Sequence, residues 1–181
     1  MLIAVRKYHI GKSAINGKGI ILDTDVKKDE IIFRFTGKVV RNPSMPWHYG
    51  RAWLQTGYAE WVVPARGAPG NYLNHSCNPN AGLRGRNTIV AMRTIKKGEE
   101  AAVDYALSET LPLWHIRCNC KAKNCRKLVK PYQDLPHQRQ RKYVKYTAQY
   151  IKDMKMHLSW AEYLDSKKLT RHRVRQRAQS R

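Results

Sequence analysis

The chain has 181 residues, enough for one well-buried domain with an appendage and too few for two full-sized domains with separate cores. It carries 35 Lys and Arg against 13 Asp and Glu, a formal charge of +22 that points to an anionic partner such as nucleic acid; a basic surface that only keeps the protein soluble is the plainer alternative. No stretch approaches the roughly 18 apolar residues of a membrane span, and the N-terminus lacks the layout of a signal peptide, so a soluble intracellular protein is expected.

Residues 1 to 41 hold short apolar, β-branched runs: Met1 to Val5, Ile20 to Leu22 and Ile31 to Phe33. They are separated by Gly and charged turns, the punctuation of β-strands. Residues 42 to 66 fill with Trp47, Tyr49, Trp53, Tyr58 and Trp61 between Pro43 and Pro64 and read as an aromatic insert with one short helix. Strands return at Thr88 to Met92 and Glu100 to Asp104, flanking the turn Lys96-Lys97-Gly98, and this half should end near Tyr105.

After Cys125 the period changes. Tyr143, Thr147, Tyr150, Ile151, Met154 and Leu158 fall on one face of a helix, with basic residues opposite. Ser159 to Glu162 has the capping-box pattern of a second helix running to about Lys168, and residues 170 to 181 form a basic tail expected to be disordered unless bound. The charge follows this division: residues 113 to 181 hold 19 basic and 4 acidic residues, a net +15, against +7 for residues 1 to 112.

Four cysteines without a secretory segment suggest a metal rather than a disulfide framework, and three of them crowd into Cys118-Asn-Cys120-Lys-Ala-Lys-Asn-Cys125. Thiolates are soft ligands, and four of them make a closed tetrahedral zinc site with no open position for catalysis. Four reduced thiols are the bland alternative. Arg117, Lys121, Lys123, Arg126 and Lys127 would partly offset the double negative charge of such a site, or serve the anionic partner instead.

The segment Asn71-Tyr-Leu-Asn-His-Ser-Cys-Asn-Pro-Asn80, followed by Gly98-Glu-Glu100 and Asp104-Tyr105, closely resembles the SET-domain methyltransferase family. Asn74-His75-Ser76-Cys77 with Pro79-Asn80 matches one family element and Asp104-Tyr105 another. The turn Asn16-Gly-Lys-Gly19 resembles the family's Gly-x-Gly turn, and the cysteine cluster resembles its post-SET segment. The resemblance covers about residues 3 to 130. It implies a mainly β fold of small curled sheets with knot-like threading, to which the helical spacing beyond it appends C-terminal α-helices. The expected division is a SET domain over 1–112 with its insert at about 42–66 and a zinc segment over 113–130, followed, outside the resemblance, by helices over 131–169 and the tail over 170–181.

The resemblance further implies one structural zinc ion on Cys77, Cys118, Cys120 and Cys125. It implies S-adenosylmethionine held by Lys18, Gly19, Asn74 and His75, largely through the main chain, with Leu128 over the adenine and Tyr105 as the essential catalytic tyrosine. Trp53 stands where some relatives place a cofactor-facing aromatic, with core packing as the competing role. Tyr58 and Tyr72 are candidate walls of a lysine channel. Where many relatives carry Phe or Tyr, this chain has Val103, a smaller wall that leaves room for multiple methylation.

The expected activity is methyl transfer from S-adenosylmethionine to a lysine ε-amine of a histone or other basic protein associated with nucleic acid. A +22 enzyme repels a free basic tail, which favours a substrate presented on DNA or RNA and held through the basic C-terminal region. The competing reading is a zinc-stapled nucleic-acid-binding or chromatin-binding module without catalysis; methylation of the chain's own Lys167 and Lys168 is a third. The expected location is cytoplasm or nucleoid in a microbe and nucleus in a eukaryote.

Overall fold

The computed structural model describes residues 7–41, 52–111 and 114–155. Its strands are short, some paired as local hairpins and others joined across long stretches of sequence. Strands β1 (Tyr8–Lys12) and β2 (Lys18–Leu22) run antiparallel, closed by a turn in which the Ser13 hydroxyl accepts the N–H groups of Ile15 and Asn16 and Gly17 adopts φ +56°. Strands β3 (Ile31–Arg34) and β4 (Lys38–Arg41) follow. Residues 54 to 63 form a hairpin of β5 (Leu54–Gly57) and β6 (Glu60–Val63). β6 pairs with β4 on its other side. The described part of the expected insert is therefore sheet rather than helix: Lys38-Val39-Val40-Arg41 supplies a third strand against which Trp61, Val62 and Val63 extend.

Strands β7 (Asn74–His75), β8 (Ala81–Arg84), β9 (Thr88–Ala91) and β10 (Glu100–Val103) complete the main sheets, ordered β1-β2-β10-β7, β3-β9-β8 and β4-β6-β5. The pairing that positions the site is that of β10, antiparallel to β2 and parallel to β7, with Ala102 opposite Asn74 and Val103 opposite His75. The Ser76 N–H then donates to Val103 O at 2.9 Å. Two motifs nearly thirty residues apart in sequence thus end side by side. The interior holds Ile20, Leu22, Val26, Leu83, Ile89, Ile95 and Leu107, all essentially inaccessible to solvent.

A two-stranded ribbon of β11 (Ile116–Arg117) and β12 (Leu128–Val129) frames the cysteine segment. Helices α1 (His137–Tyr143) and α2 (Gln149–Lys155) follow, joined by a 3-10 turn over Val144–Tyr146. The sequence predicts one helix through Tyr143, Thr147, Tyr150 and Ile151. Those four side chains are buried as expected, but the helix is broken at Thr147, whose ψ is 145°. The break has a visible cause: Ala148 N–H donates to Leu107 O and Gln149 N–H to Gly85 O, bonds a continuous helix would have kept for itself. The capping-box helix over Ser159 to Lys168 and the strand over Met1 to Val5 fall outside the described residues. Among the described residues no helix is long and apolar enough to cross a membrane.

These C-terminal turns are packed into the domain. Gly82 on β8 faces Tyr146, and a Cβ there would stand 2.6 Å from Tyr146 Cβ and 3.2 Å from its carbonyl oxygen. Gly82→Ala is expected to destabilise the protein by about 1–3 kcal/mol through this overpacking, read as a lower midpoint in urea unfolding. An unchanged midpoint would mean the C-terminal region is only loosely attached.

Candidate active site and metal centre

The end of β10 leads into a 3-10 turn over Tyr105–Leu107, capped by the Asp104 carboxylate, which accepts the Ala106 N–H at 3.1 Å. This turn places Tyr105 in the wall of a cleft of about 990 Å³. The Tyr105 hydroxyl donates to Leu73 O at 2.7 Å, and its backbone N–H donates to His75 Nδ1 at 3.2 Å. A backbone N–H can only donate, so Nδ1 is an acceptor and the ring proton of the neutral imidazole sits on Nε2, 3.3 Å from Cys77 Sγ. Burial is the main influence holding the His75 ring down to about 4, against the opposing pull of Asp104. The imidazole is therefore neutral at pH 7 and bridges the tyrosine turn to the cysteine cluster.

Asn74 is committed in the same way. Its amide nitrogen shares its two N–H groups among Ser13 Oγ, Asn16 O and Lys18 O at 3.0–3.2 Å and Glu100 Oε1 at 2.7 Å. It ties the Gly-x-Gly turn to β10. With both side chains occupied internally, what Asn74 and His75 can offer a ligand is mainly their backbone. Ser13 and Glu100 belong to this strut; Glu100 stands in the Gly98-Glu-Glu100 run, whereas no motif marks Ser13. Gly19 is buried against the Glu100 carboxylate, which occupies the space a Cβ would need.

Other expected residues fall elsewhere. Lys18, Gly19 and Leu128 do not line the cleft; the first turn reaches it through Ile15 and Asn16, because Gly19 is packed against Glu100 and the Lys18 carbonyl is taken by Asn74. Tyr58 and Tyr72 are also outside its lining. Tyr58 lies in the β5–β6 turn, its carbonyl held by the Gln55 amide, and Tyr72 closes the 3-10 turn Pro69–Tyr72. The aromatic walls are instead Trp53, Trp61, Trp114 and Tyr105, with Val103 among the lining residues. Trp114 had no motif to mark it.

The four cysteines meet although Cys77 lies 41 residues before the cluster. Their sulfurs all lie within 4.8 Å of one another, with Cys77 to Cys118 at 3.8 Å and Cys118 to Cys125 at 3.7 Å. These are the separations, about 3.8 Å, of sulfurs at the corners of a tetrahedron with metal–sulfur bonds of about 2.3 Å. They are far longer than the roughly 2.05 Å of a disulfide, and all four thiols are free. Burial raises the Cys77 thiol, while at Cys120 the N–H groups of Cys77 and Ala122 outweigh burial and hold it to about 7. The donor set fits one tetrahedral ion.

Asp104 links this centre to Tyr105. Its carboxylate is fully buried and receives Arg126 Nη2 at 2.6 Å, with Arg139 Nη1 at 3.7 Å on the other oxygen. Arg126 also donates its backbone N–H to Cys77 Sγ at 3.3 Å, and Arg139 donates to Cys77 O at 2.8 Å. Two arginines, one beside the last cysteine and one from α1, neutralise the residue preceding the tyrosine and grip a cysteine at once.

The SET domain family model matches residues 17–106. The chain is 29% identical over 135 residues to human histone-lysine N-methyltransferase 2D, 30% identical over 135 residues to the Drosophila melanogaster histone-lysine N-methyltransferase trr, and 28% identical over 144 residues to the H3 lysine-36 specific enzyme of Candida albicans. These alignments cover 66%, 66% and 68% of this chain but only 2%, 6% and 16% of the relatives. Among solved structures it is similar to KRYPTONITE in complex with mCHH DNA, an H3(1–15) peptide and SAH, with a TM-score of 0.57 and 19% identity over 67% of this chain and 29% of that one. At that identity the likeness speaks for the fold alone; the family model identifies residues 17–106, which hold the motifs around Asn74 and Tyr105, as a SET domain.

Proposed function

We propose that the protein transfers methyl from S-adenosylmethionine to a lysine ε-amine of a basic protein, a histone or another protein carried on nucleic acid. The observation that carries this is the Tyr105 hydroxyl, anchored on Leu73 O in the wall of the cleft beside the backbone of Asn74 and His75. Bound S-adenosylmethionine supplies an electrophilic methyl on a cationic sulfonium. With its O–H directed at the Leu73 carbonyl, the neutral tyrosine oxygen offers its lone pairs to the cleft, a preorganised negative field where positive charge must be held. Asn16 and the backbone of Asn74 and His75 line the cofactor end, with Trp53 and Trp114 as walls. Lys18 and Gly19 support from behind, and Leu128, paired with the cleft-lining Arg117, would cover the adenine.

The target lysine must lose a proton, at a cost of about 4–5 kcal/mol at pH 7 from a reference pKa near 10.4. Tryptophan walls exclude water and disfavour the ammonium. Val103 in place of a bulky aromatic leaves space for an amine that already carries methyl groups, so more than one transfer is expected. Tyr58 and Tyr72 act, in this reading, only by supporting the loops around the channel. Cys77, Cys118, Cys120 and Cys125 hold one zinc ion, whose closed thiolate shell fastens the segment that bears Cys118, Asn119 and Cys120 against the cleft.

Exposed Lys121, Lys123, Lys127, Lys130, Arg141, Lys142 and Lys145 add to the basic charge of the C-terminal third and suit contact with a polyanion. The test is incubation with methyl-labelled S-adenosylmethionine and a cell lysate, with and without nuclease. Label on lysines of basic proteins, reduced by nuclease, is the expected result. Lysine label indifferent to nuclease would retain the enzyme and remove the nucleic-acid contact, and no label from zinc-loaded protein would overturn the assignment.

A further inference from the structure

Among the described residues only two acidic side chains combine burial with a carboxylate, Asp104 and Glu109. Asp104 has its two arginines. Glu109 has no Lys, Arg or His within ion-pair distance among the described residues, in a chain with 35 basic residues. It is 8% exposed and lines the same cleft as Tyr105, four residues further along the chain. Its carboxylate accepts the backbone N–H groups of Thr110 at 3.0 Å and Leu111 at 2.9 Å, both on Oε1. Among the described residues Oε2 accepts no hydrogen bond.

A buried carboxylate without a cation is costly. Its backbone contacts do not remove that cost: burial dominates and lifts the Glu109 carboxyl to about 7. Around the cleft, the other titratable groups in the lining are His75, Tyr105, His115, Arg117, Cys118 and Cys120. None adds a second negative side chain from the acidic residues. Among the described residues Glu109 is thus the one carboxylate in the lining of a cleft in a strongly basic protein, a lining that also holds tryptophans, whose faces favour cations.

We propose that Glu109 receives a cationic side chain of the protein substrate, pairing through Oε2 with an alkylammonium or guanidinium group that enters between Trp53 and Trp114. This rests on the proposed function for the identity of the substrate. The cation is either the target lysine before it loses its proton or a basic residue flanking it. In both cases the pair forms only in the complex, so the cost of burying Glu109 alone is relieved on binding and contributes to specificity.

The test compares wild type, Glu109→Gln and Glu109→Asp in the zinc-loaded full chain. The amide of Gln keeps an oxygen for the Thr110 and Leu111 N–H groups and removes only the charge. Probes are three fluorescein-labelled peptide pools: a central Lys with basic flanks, a central Lys with uncharged flanks, and a central norleucine with basic flanks. Anisotropy gives affinity whether or not the protein proves to be a methyltransferase, so a failure of that reading is seen separately as an absence of methyl transfer by wild type.

For Glu109→Gln a loss of affinity of about tenfold is expected, the size of one charged hydrogen-bonded contact, with Glu109→Asp recovering part of it. Loss on both basic-flank pools assigns the cation to a flanking residue. Loss on both central-lysine pools, sparing the norleucine pool, assigns it to the target lysine. Where methyl transfer is measurable, the loss falls on KM rather than kcat.

Melting temperature is an independent readout. A carboxyl raised from about 4.5 to about 7 contributes stability at low pH that is lost as pH rises through 7. Glu109→Gln should therefore melt above wild type at pH 8 and alongside it at pH 5. Equal affinity of Glu109→Gln and wild type for all three pools overturns the proposal and leaves Glu109 as a cap for its neighbouring N–H groups.

Discussion

Replacing Tyr105 with phenylalanine should lower kcat by about 10²–10³-fold, the scale of removing one preorganised group from a reacting centre, while cofactor affinity changes little. The substitution deletes a single oxygen. Its hydrogen bond to Leu73 O at 2.7 Å sets its direction before any substrate arrives. The tyrosine backbone N–H still satisfies His75 Nδ1, and Asp104 still caps the turn. The fold should accordingly survive with a loss of about 1–3 kcal/mol, from the Leu73 carbonyl left without that donor. Single-turnover kinetics separates the two effects. A Tyr105→Phe variant as fast as wild type would remove the tyrosine from the chemistry.

Stripping the metal is the second large effect. A chelator that removes the ion frees the segment over residues 118 to 126, and with it Arg126. Asp104 would then keep only Arg139 at 3.7 Å for a carboxylate that no water reaches. Breaking one side of a buried ion pair costs about 3–5 kcal/mol, which in a chain of this size lowers Tm by roughly 10 °C or more. Methyl transfer should fail with it, since Cys118, Asn119 and Cys120 form part of the cleft and Cys77 is bonded to His75. Calorimetry with and without chelator, and after zinc is restored, checks this. An unchanged Tm in fully demetallated protein would show that the four thiols need no ion.

The parts of the site legible in the sequence were those encoded in short runs. Asn74 to Cys77 and Asp104-Tyr105 could be recognised because adjacent backbone positions must share one strand end, and three cysteines within eight residues leave few alternatives to a metal. The rest depended on contacts that no local pattern announces. Arg139 reaches Cys77 across 62 residues and is indistinguishable in sequence from the surrounding basic surface. Glu109 looks like any surface glutamate until the fold buries it, and Trp114 is one aromatic among many.

The same division holds for the fold. The spacing of Tyr143, Thr147, Tyr150 and Ile151 identified the side chains that are buried, because burial follows apolar periodicity. It missed the break at Thr147, because carbonyls of Leu107 and Gly85 capture the next two N–H groups. The aromatic stretch before Pro64 was read as an insert, since the strand it pairs with, Lys38–Arg41, is short and largely exposed. For the channel walls the sequence offers Tyr58 and Tyr72 as candidates, while the lining of the cleft that holds Tyr105 includes Trp53, Trp61 and Trp114.

The most direct test uses purified zinc-loaded protein, S-adenosylmethionine and lysine-containing basic peptides, with products identified by mass spectrometry and wild type set beside Tyr105→Phe. The account predicts methyl groups on lysine ε-amines from wild type, more than one per lysine at long times, and at most traces from the variant. Peptides left unmodified by a wild-type protein that binds both zinc and S-adenosylmethionine would contradict it.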